Sequence, residues 1–223
     1  KECDWSSDVC SSDLDTVLIN SANAYNLPDV AALVPLNHAI TWLPEFQIYA
    51  DTTASTAPFG TLPFTEYGKP VVHTKTSTMA MALTPILGAG LATTNVKTVA
   101  RIDKDGKVTG DSTITATGPF STSLRAMGLL IQASGPERIA AAQLKAQNLT
   151  GTGNFETPSP LELGPDYTIK TRFAFGPEAD WLTGAQIGMV RGIPVAELTG
   201  DFLMGGVFDG KLTAETQIGR AHV

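Results

Sequence analysis

The pattern of hydrophobic and polar positions is most informative between residues 36 and 53. Two apolar runs rich in Ile, Trp, Tyr and Phe, residues 36–43 and 46–53, flank the dipeptide Pro44-Glu45. Branched and aromatic residues favour extended backbone, and a proline beside a polar residue favours a turn. The stretch therefore predicts two antiparallel strands joined by a tight turn.

The centre of this turn determines which side chains meet across the two strands. A turn centred on the Pro-Glu dipeptide pairs Leu43 with Phe46 and, at the open end of the hairpin, His38 with Asp51. Directly opposite residues project from the same face of a sheet, with β-carbons roughly 4.5–5.5 Å apart. The register thus predicts an imidazole beside a carboxylate, which is the arrangement of a catalytic base and the acid that orients it.

Alternation of apolar and polar residues returns in the second half of the chain. Residues 96–102 and 107–117 predict two strands around the turn at residues 103–106, and residues 167–175 predict the most regular strand of all. The two aspartates of that turn, Asp103 and Asp105, also suggest a calcium loop. The later ligand positions of an EF-hand are absent, which favours a plain hairpin turn.

Between these strands the hydrophobic period changes to three or four residues, which is typical of helices. The helical pattern begins at Ser121, which we predict to be an N-cap. Gly135-Pro136 predicts the end of this helix and the start of a second one. Arg125 lies one turn from Ser121 and is predicted to face solvent or to pair with an acid. Residues 151–165 predict a loop.

Pro, Gly, Thr and Ala dominate residues 54–70, which predict an ordered surface loop. We expect Phe59, Phe64 and Tyr67 to hold this loop on the core. His73 follows in an extended segment with alternating threonines. Because no carboxylate lies at hairpin spacing from His73, we predict a structural or exposed histidine rather than a catalytic one.

The composition narrows the class of protein. The chain is 43% hydrophobic and 17% charged, which is typical of a globular protein and excludes an intrinsically disordered one. A formal net charge of -7 makes nucleic acid an unfavourable partner. No apolar run is long enough to span a bilayer, whereas other membrane association and the oligomeric state stay open.

Both ends of the chain resemble the translation of a synthetic DNA oligonucleotide rather than natural protein sequence. Residues 4–14 match the in-frame translation of a common sequencing adapter, and residues 218–223 match the translation of part of its reverse complement. We therefore expect residues 1–14 and 218–223 to take no part in the fold. Cys3 and Cys10 both lie in these ends, so the rest of the chain has no thiol for a disulfide, a metal site or a nucleophile.

Four short motifs stand together around the predicted hairpin. They are N-H-A-I at 37–40, Y-A-D-T-T at 49–53, A-P-F-G-T-L-P at 57–63 and G-K-P at 68–70. Together they resemble the second half of a transglutaminase-like (papain-type) core, in a group of large bacterial proteins. The resemblance implies an α+β fold. Residues 15–75 would be the remnant antiparallel sheet of that core, and residues 76–217 a β-rich domain with a helical pair.

The resemblance also implies a Cys-His-Asp site for thiol-dependent acyl transfer, either hydrolysis or cross-linking of peptide amides. His38 would exchange protons with the thiol and the leaving amine, and Asp51 would orient the imidazole. No cofactor and no metal ligands are implied. The partner would be a protein or peptide substrate in the bacterial periplasm or cell envelope.

The cysteine precedes the histidine in such families, and residues 15–37 contain none. The chain as given is therefore predicted to be an inactive fragment, although its parent would be an enzyme. The alternative is a non-catalytic, extracytoplasmic binding or scaffold module. A cysteine at the start of a helix upstream of Asp15 favours the enzyme, and Ser, Ala or Gly at that position favours the scaffold.

Overall fold

Two antiparallel sheets and two helices make up the described part of this chain, which is an α+β protein. A computed structural model describes residues 14–22, 25–27, 35–75, 80–88, 90–103 and 105–176. Both ends that match adapter sequence lie outside the described residues, apart from Leu14. No described helix has the length and apolar character needed to cross a membrane.

The first sheet has five strands in the order β3-β2-β1-β4-β5, and every neighbouring pair is antiparallel. Its strands are β1 (Asp15–Ile19), β2 (His38–Leu43), β3 (Ile48–Ala50), β4 (Pro70–His73) and β5 (Ala80–Leu83). The two strands of the predicted hairpin are present as β2 and β3, and β1 pairs with β2. Because β5 pairs with β4, this sheet extends past the boundary predicted near residue 75.

The hairpin register differs from the predicted one by two residues. Leu43 pairs with Ile48 rather than with Phe46, because the turn spans four residues, 44–47, and Gln47 adopts a φ of 53°. Extending this register places Asp51 diagonally, rather than directly, opposite His38. A two-residue shift keeps side chains on the same face of a sheet, whereas a one-residue shift would have separated them.

One face of the first sheet carries its core. The buried apolar residues on this face and on the loop over it are Val17, Ile19, Ile40, Tyr49, Leu62 and Val71. The loop at residues 51–69 crosses this face and contains a single 3₁₀ turn, Phe64–Glu66. Phe64 is buried and the Tyr67 hydroxyl accepts the Leu62 N–H, as expected of anchors. The prediction for Phe59 was wrong, since its side chain is 71% exposed.

The opposite face of the first sheet is more open at its β5 edge. Met81 and Leu83 project from this face and are 63% and 62% exposed. Both described helices pack on the second sheet instead.

The second sheet has four antiparallel strands in the order β6-β7-β9-β8. Its elements are β6 (Thr94–Ile102), β7 (Val108–Thr117), α1 (Pro119–Ser134), α2 (Pro136–Ala146), β8 (Gly151–Glu156) and β9 (Asp166–Phe175). The predicted loop at residues 151–165 was wrong for its first part, which forms β8 and pairs with β9. The predicted turn at residues 103–106 joins β6 to β7, and Asp103 Oδ1 accepts the N–H groups of Asp105 and Lys107.

The helix α1 begins earlier than the sequence predicts. Its N-cap is Gly118, with φ of 56°, and Pro119 is the first helical residue. A β-carbon at Gly118 would lie 2.2 Å from the Leu91 carbonyl oxygen, so only glycine fits there. Ser121 is consequently a buried helical residue and not the cap.

Arg125 was predicted to face solvent or to pair with an acid, and the structure contradicts this. Its side chain is 1% exposed and donates hydrogen bonds to backbone carbonyls, including those of Gly164 at 3.0 Å and Asp166 at 2.6 Å. Its guanidinium also lies 4.7 Å from the centre of the Tyr167 ring. A planar group with five donors can hold a loop in this way, so Arg125 is a structural residue.

Candidate functional site

His38 is the first residue of β2, and its pairing determines which face it occupies. It lies opposite Ile19 of β1, a fully buried residue, so the imidazole projects from the core face of the first sheet. Its side chain remains 23% exposed, because the position is at the end of the strand. An imidazole there is held by the fold and is still reachable from solvent.

Asp51 follows β3 directly and meets His38 as the sequence predicts. Its Oδ2 lies 3.2 Å from His38 Nε2. Its Oδ1 accepts hydrogen bonds from the Thr53 N–H at 2.9 Å and the Thr53 hydroxyl at 2.7 Å. Burial alone would raise the Asp51 pKa, but the Thr53 hydrogen bonds and His38 outweigh it and lower the pKa. Asp51 is therefore a fixed carboxylate that directs one oxygen at the imidazole.

Glu66 is a third member of the site that the sequence did not predict. Its Oε1 lies 3.6 Å from His38 Nε2, and its side chain is 2% exposed. Burial, followed by the charge and hydrogen bond of Asp51, raises the Glu66 pKa to about 8, although Lys69 acts in the opposite direction. Glu66 is therefore protonated at neutral pH, and Asp51 carries the negative charge of the pair.

The loop backbone fixes the position of Glu66. Its N–H donates to the Pro63 carbonyl at 2.9 Å within the 3₁₀ turn, and its carbonyl accepts from the Thr84 hydroxyl at 2.6 Å. One signal in the sequence could have identified it. Glu66 is the single acidic residue in the loop at residues 54–70, among aromatic residues that hold this loop on the core. An isolated acid in such a setting must be buried beside a partner or point away from the core.

The three side chains form one cluster of donor and acceptor atoms. One oxygen or nitrogen atom from each of His38, Asp51 and Glu66 lies within 4.8 Å of the others. Both acids approach Nε2 of the imidazole, and Nδ1 has no hydrogen-bond partner among the described residues. An acid on Nε2 favours the neutral tautomer that carries its proton there, which leaves Nδ1 as a base.

His73 has a carboxylate partner after all, so the reason given for its structural role was incomplete. Its Nδ1 lies 2.6 Å from Asp15 Oδ2, and its Nε2 lies 3.0 Å from the Tyr49 hydroxyl. Asp15 Oδ1 accepts the Lys75 N–H at 3.0 Å. Spacing along a hairpin does not predict this pair, because its acid lies on β1, 58 positions away in the chain. Both ring nitrogens are satisfied and the side chain is only 12% exposed, so His73 is structural and not exposed.

The described residues include no cysteine, so the structure brings no thiol to either histidine. Comparison with known proteins adds no candidate, since no family model, no curated protein and no solved structure matches the chain.

Proposed function

We propose that this chain carries the histidine and aspartate of a thiol-dependent acyl-transfer site of the transglutaminase-like kind. The observation that supports the proposal best is the placement of Asp51 Oδ2 at 3.2 Å from His38 Nε2, with Nδ1 left for a reaction partner. The sheet that presents both residues is antiparallel, as the remnant of a papain-type core would be.

The roles follow from the acid–base chemistry of the three groups. A cysteine thiol gives its proton to His38 Nδ1, and the thiolate attacks the amide carbonyl of a protein or peptide. As the carbon–nitrogen bond breaks, His38 returns the proton to the leaving amine. Asp51 keeps the imidazole in the tautomer that can act this way, because its carboxylate accepts the Nε2 proton. Water or an amine then takes the acyl group, which gives hydrolysis or cross-linking.

The nucleophile is the part of this site that the described residues do not supply. Under this proposal, the cysteine belongs to a segment upstream of Asp15, and Cys10 does not replace it because it lies in the stretch that matches adapter sequence. Losing the nucleophile of a catalytic triad costs on the order of a million-fold in rate. The chain as given is therefore expected to be inactive, and the extracytoplasmic location of its parent belongs to the same proposal.

A second candidate function is a non-catalytic binding or scaffold module that uses the same sheet. The absence of a cysteine from the described residues favours it, since a histidine and an aspartate without a nucleophile need not react. The coding sequence upstream of Asp15 distinguishes the two. A cysteine at a helix start supports the enzyme, and Ser, Ala or Gly supports the module.

The test compares the chain as given with a version extended upstream to that cysteine. Both are assayed for amide hydrolysis and for incorporation of a labelled amine into a protein. We expect turnover only from the extended protein, abolished by His38→Ala and strongly reduced by Asp51→Asn. Asp111→Asn, at an exposed site on the second sheet, is the matched control and should leave turnover unchanged. Turnover by the short chain that disappears on Cys10→Ala would contradict the proposal.

A further inference from the structure

The spacing of donor atoms around His38 matches a metal coordination shell. His38 Nε2 lies 3.2 Å from Asp51 Oδ2 and 3.6 Å from Glu66 Oε1. In a tetrahedral zinc site with bonds of 2.0–2.1 Å, neighbouring ligand atoms are about 3.3–3.4 Å apart. The two distances lie on either side of this value, so small side-chain movements would complete the geometry.

The environment of Glu66 gives a second and independent reason to look for a cation. Its side chain is 2% exposed, and its Oε2 has no hydrogen-bond partner. A buried carboxyl oxygen without a partner is costly in a folded protein. Lys69 attracts Glu66 electrostatically, but its ammonium group donates to the Asn20 carbonyl at 3.1 Å, and no hydrogen bond reaches Oε2.

We propose that His38, Asp51 and Glu66 form a binding site for a divalent transition metal ion, and that Zn²⁺ is the ion that fits best. An imidazole nitrogen combined with carboxylates suits zinc, whereas calcium and magnesium select oxygen ligands alone. The Thr53 hydrogen bonds to Asp51 Oδ1 leave Oδ2 directed at the site, as outer partners of metal ligands do. The partly exposed His38 provides access from solvent.

This inference does not depend on the acyl-transfer function. Zinc would occupy Nε2 of His38 and Oδ2 of Asp51, the same two atoms that form the proposed catalytic pair. A bound ion would therefore block the pair from acting as an orienting acid and a base. Metal binding and acyl transfer at this site therefore exclude each other at any one time. Turnover tests the acyl-transfer proposal, and zinc titration tests the metal proposal.

The experiment measures zinc binding to the full chain after removal of metal ions. His222, Cys3 and Cys10 can also bind zinc, so the reference protein carries Cys3→Ser, Cys10→Ser and His222→Gln. Isothermal titration with Zn²⁺ should give one site per chain. Because loss of an outer partner alone weakens metal sites 10–100-fold, Glu66→Gln and His38→Gln should each weaken binding at least about 100-fold. Glu45→Gln, in the exposed turn of the same hairpin, is the control and should bind as the reference does.

Two features keep this test decisive. Glu66→Gln has nearly the size of the original residue, and His38→Gln gives an independent variant if the first fails to fold. Binding of Co²⁺ in place of zinc gives a visible absorption spectrum that reports a tetrahedral site without any activity. No zinc binding, or binding that both variants leave unchanged, would overturn the metal proposal and would not affect the acyl-transfer one. Zinc binding together with an extended protein that stays inactive after the zinc is removed with a chelator would reject acyl transfer alone.

Discussion

Two histidines project from the same face of the first sheet, and their surroundings differ. His38 on β2 pairs with Ile19, and His73 on β4 pairs with Val17, so the central strand β1 separates them. Each has a carboxylate within ion-pairing distance, Asp51 for His38 and Asp15 for His73. Residue types alone therefore do not tell the two apart.

The number of satisfied ring nitrogens does distinguish them. His73 has Asp15 on Nδ1 and Tyr49 on Nε2, so it has no nitrogen left for a substrate. His38 has two acids close to Nε2 and no described partner on Nδ1. A saturated imidazole stabilises the fold, whereas an imidazole with a free nitrogen and a surplus acid is available for proton transfer or for a metal ion.

Of single substitutions at the two histidine sites, removal of the acid of the saturated pair should lower stability at pH 7 the most. Asp15→Ala removes the hydrogen bonds that Asp15 makes with His73 Nδ1 and with the Lys75 N–H, and we expect the free energy of unfolding to fall by about 3 kcal/mol. Urea denaturation at pH 7 measures it. Asp111→Ala, which removes an exposed acid of the second sheet, should change stability little. Equal losses for the two variants would remove the structural role given to His73.

The surplus acid beside His38 should make stability depend on pH. The Glu66 pKa is raised from 4.5 to about 8 in the folded chain, so the folded state keeps a proton that the unfolded state releases. The contribution of Glu66 to the free energy of unfolding is therefore fully present below about pH 4.5. It is lost as the pH rises to 8, by up to about 1.4 kcal/mol per pH unit. Glu66→Gln should flatten this dependence in urea titrations with a chelator present. Glu45→Gln should keep it, and a flat profile in the unmodified chain would contradict the burial of Glu66.

The smallest effects on stability are expected from Tyr49→Phe, which removes a partner of His73, and from His38→Gln, which removes the open histidine itself. Tyr49→Phe removes the hydroxyl at 3.0 Å from His73 Nε2 and should cost about 1 kcal/mol. His38→Gln removes a partly exposed ring that is available for function, and it should cost less than Tyr49→Phe. Urea denaturation of both variants at pH 7 makes the comparison. A greater loss for His38→Gln would mean that His38 too is mainly structural.

Local patterns in the sequence predicted much of the secondary structure and one of the two histidine sites, the pair of His38 and Asp51. Two apolar runs predicted the strands of the first hairpin, and alternation predicted β9, in which Tyr167, Ile169 and Phe173 are buried. The pairing of His38 with Asp51 survived the error in register because the shift was even. These features depend on residues close together in the chain.

The residues that the sequence did not place depend on contacts between distant segments. Glu66 reaches His38 because a loop folds back over the sheet, and Asp15 reaches His73 because β4 pairs with β1. Arg125 donates to carbonyl groups of the segment that leads into β9 and of Asp166, the first residue of β9, 35 to 41 positions later in the chain. Composition and hydrophobic period carry no information about contacts between distant segments. The burial of these polar groups is therefore seen only in the structure.

The tautomers of the two histidines test the central comparison most directly. Nitrogen-15 NMR of the imidazole rings, assigned with His38→Gln and His73→Gln, distinguishes a protonated ring nitrogen from one with a free electron pair. In the neutral rings we expect His38 to carry its proton on Nε2, facing Asp51, and His73 to carry its proton on Nδ1, facing Asp15. These two different tautomers would support the claim that His38 has a free ring nitrogen and that both ring nitrogens of His73 are occupied. A proton on Nδ1 of His38 would contradict it, since no base would then remain for a thiol.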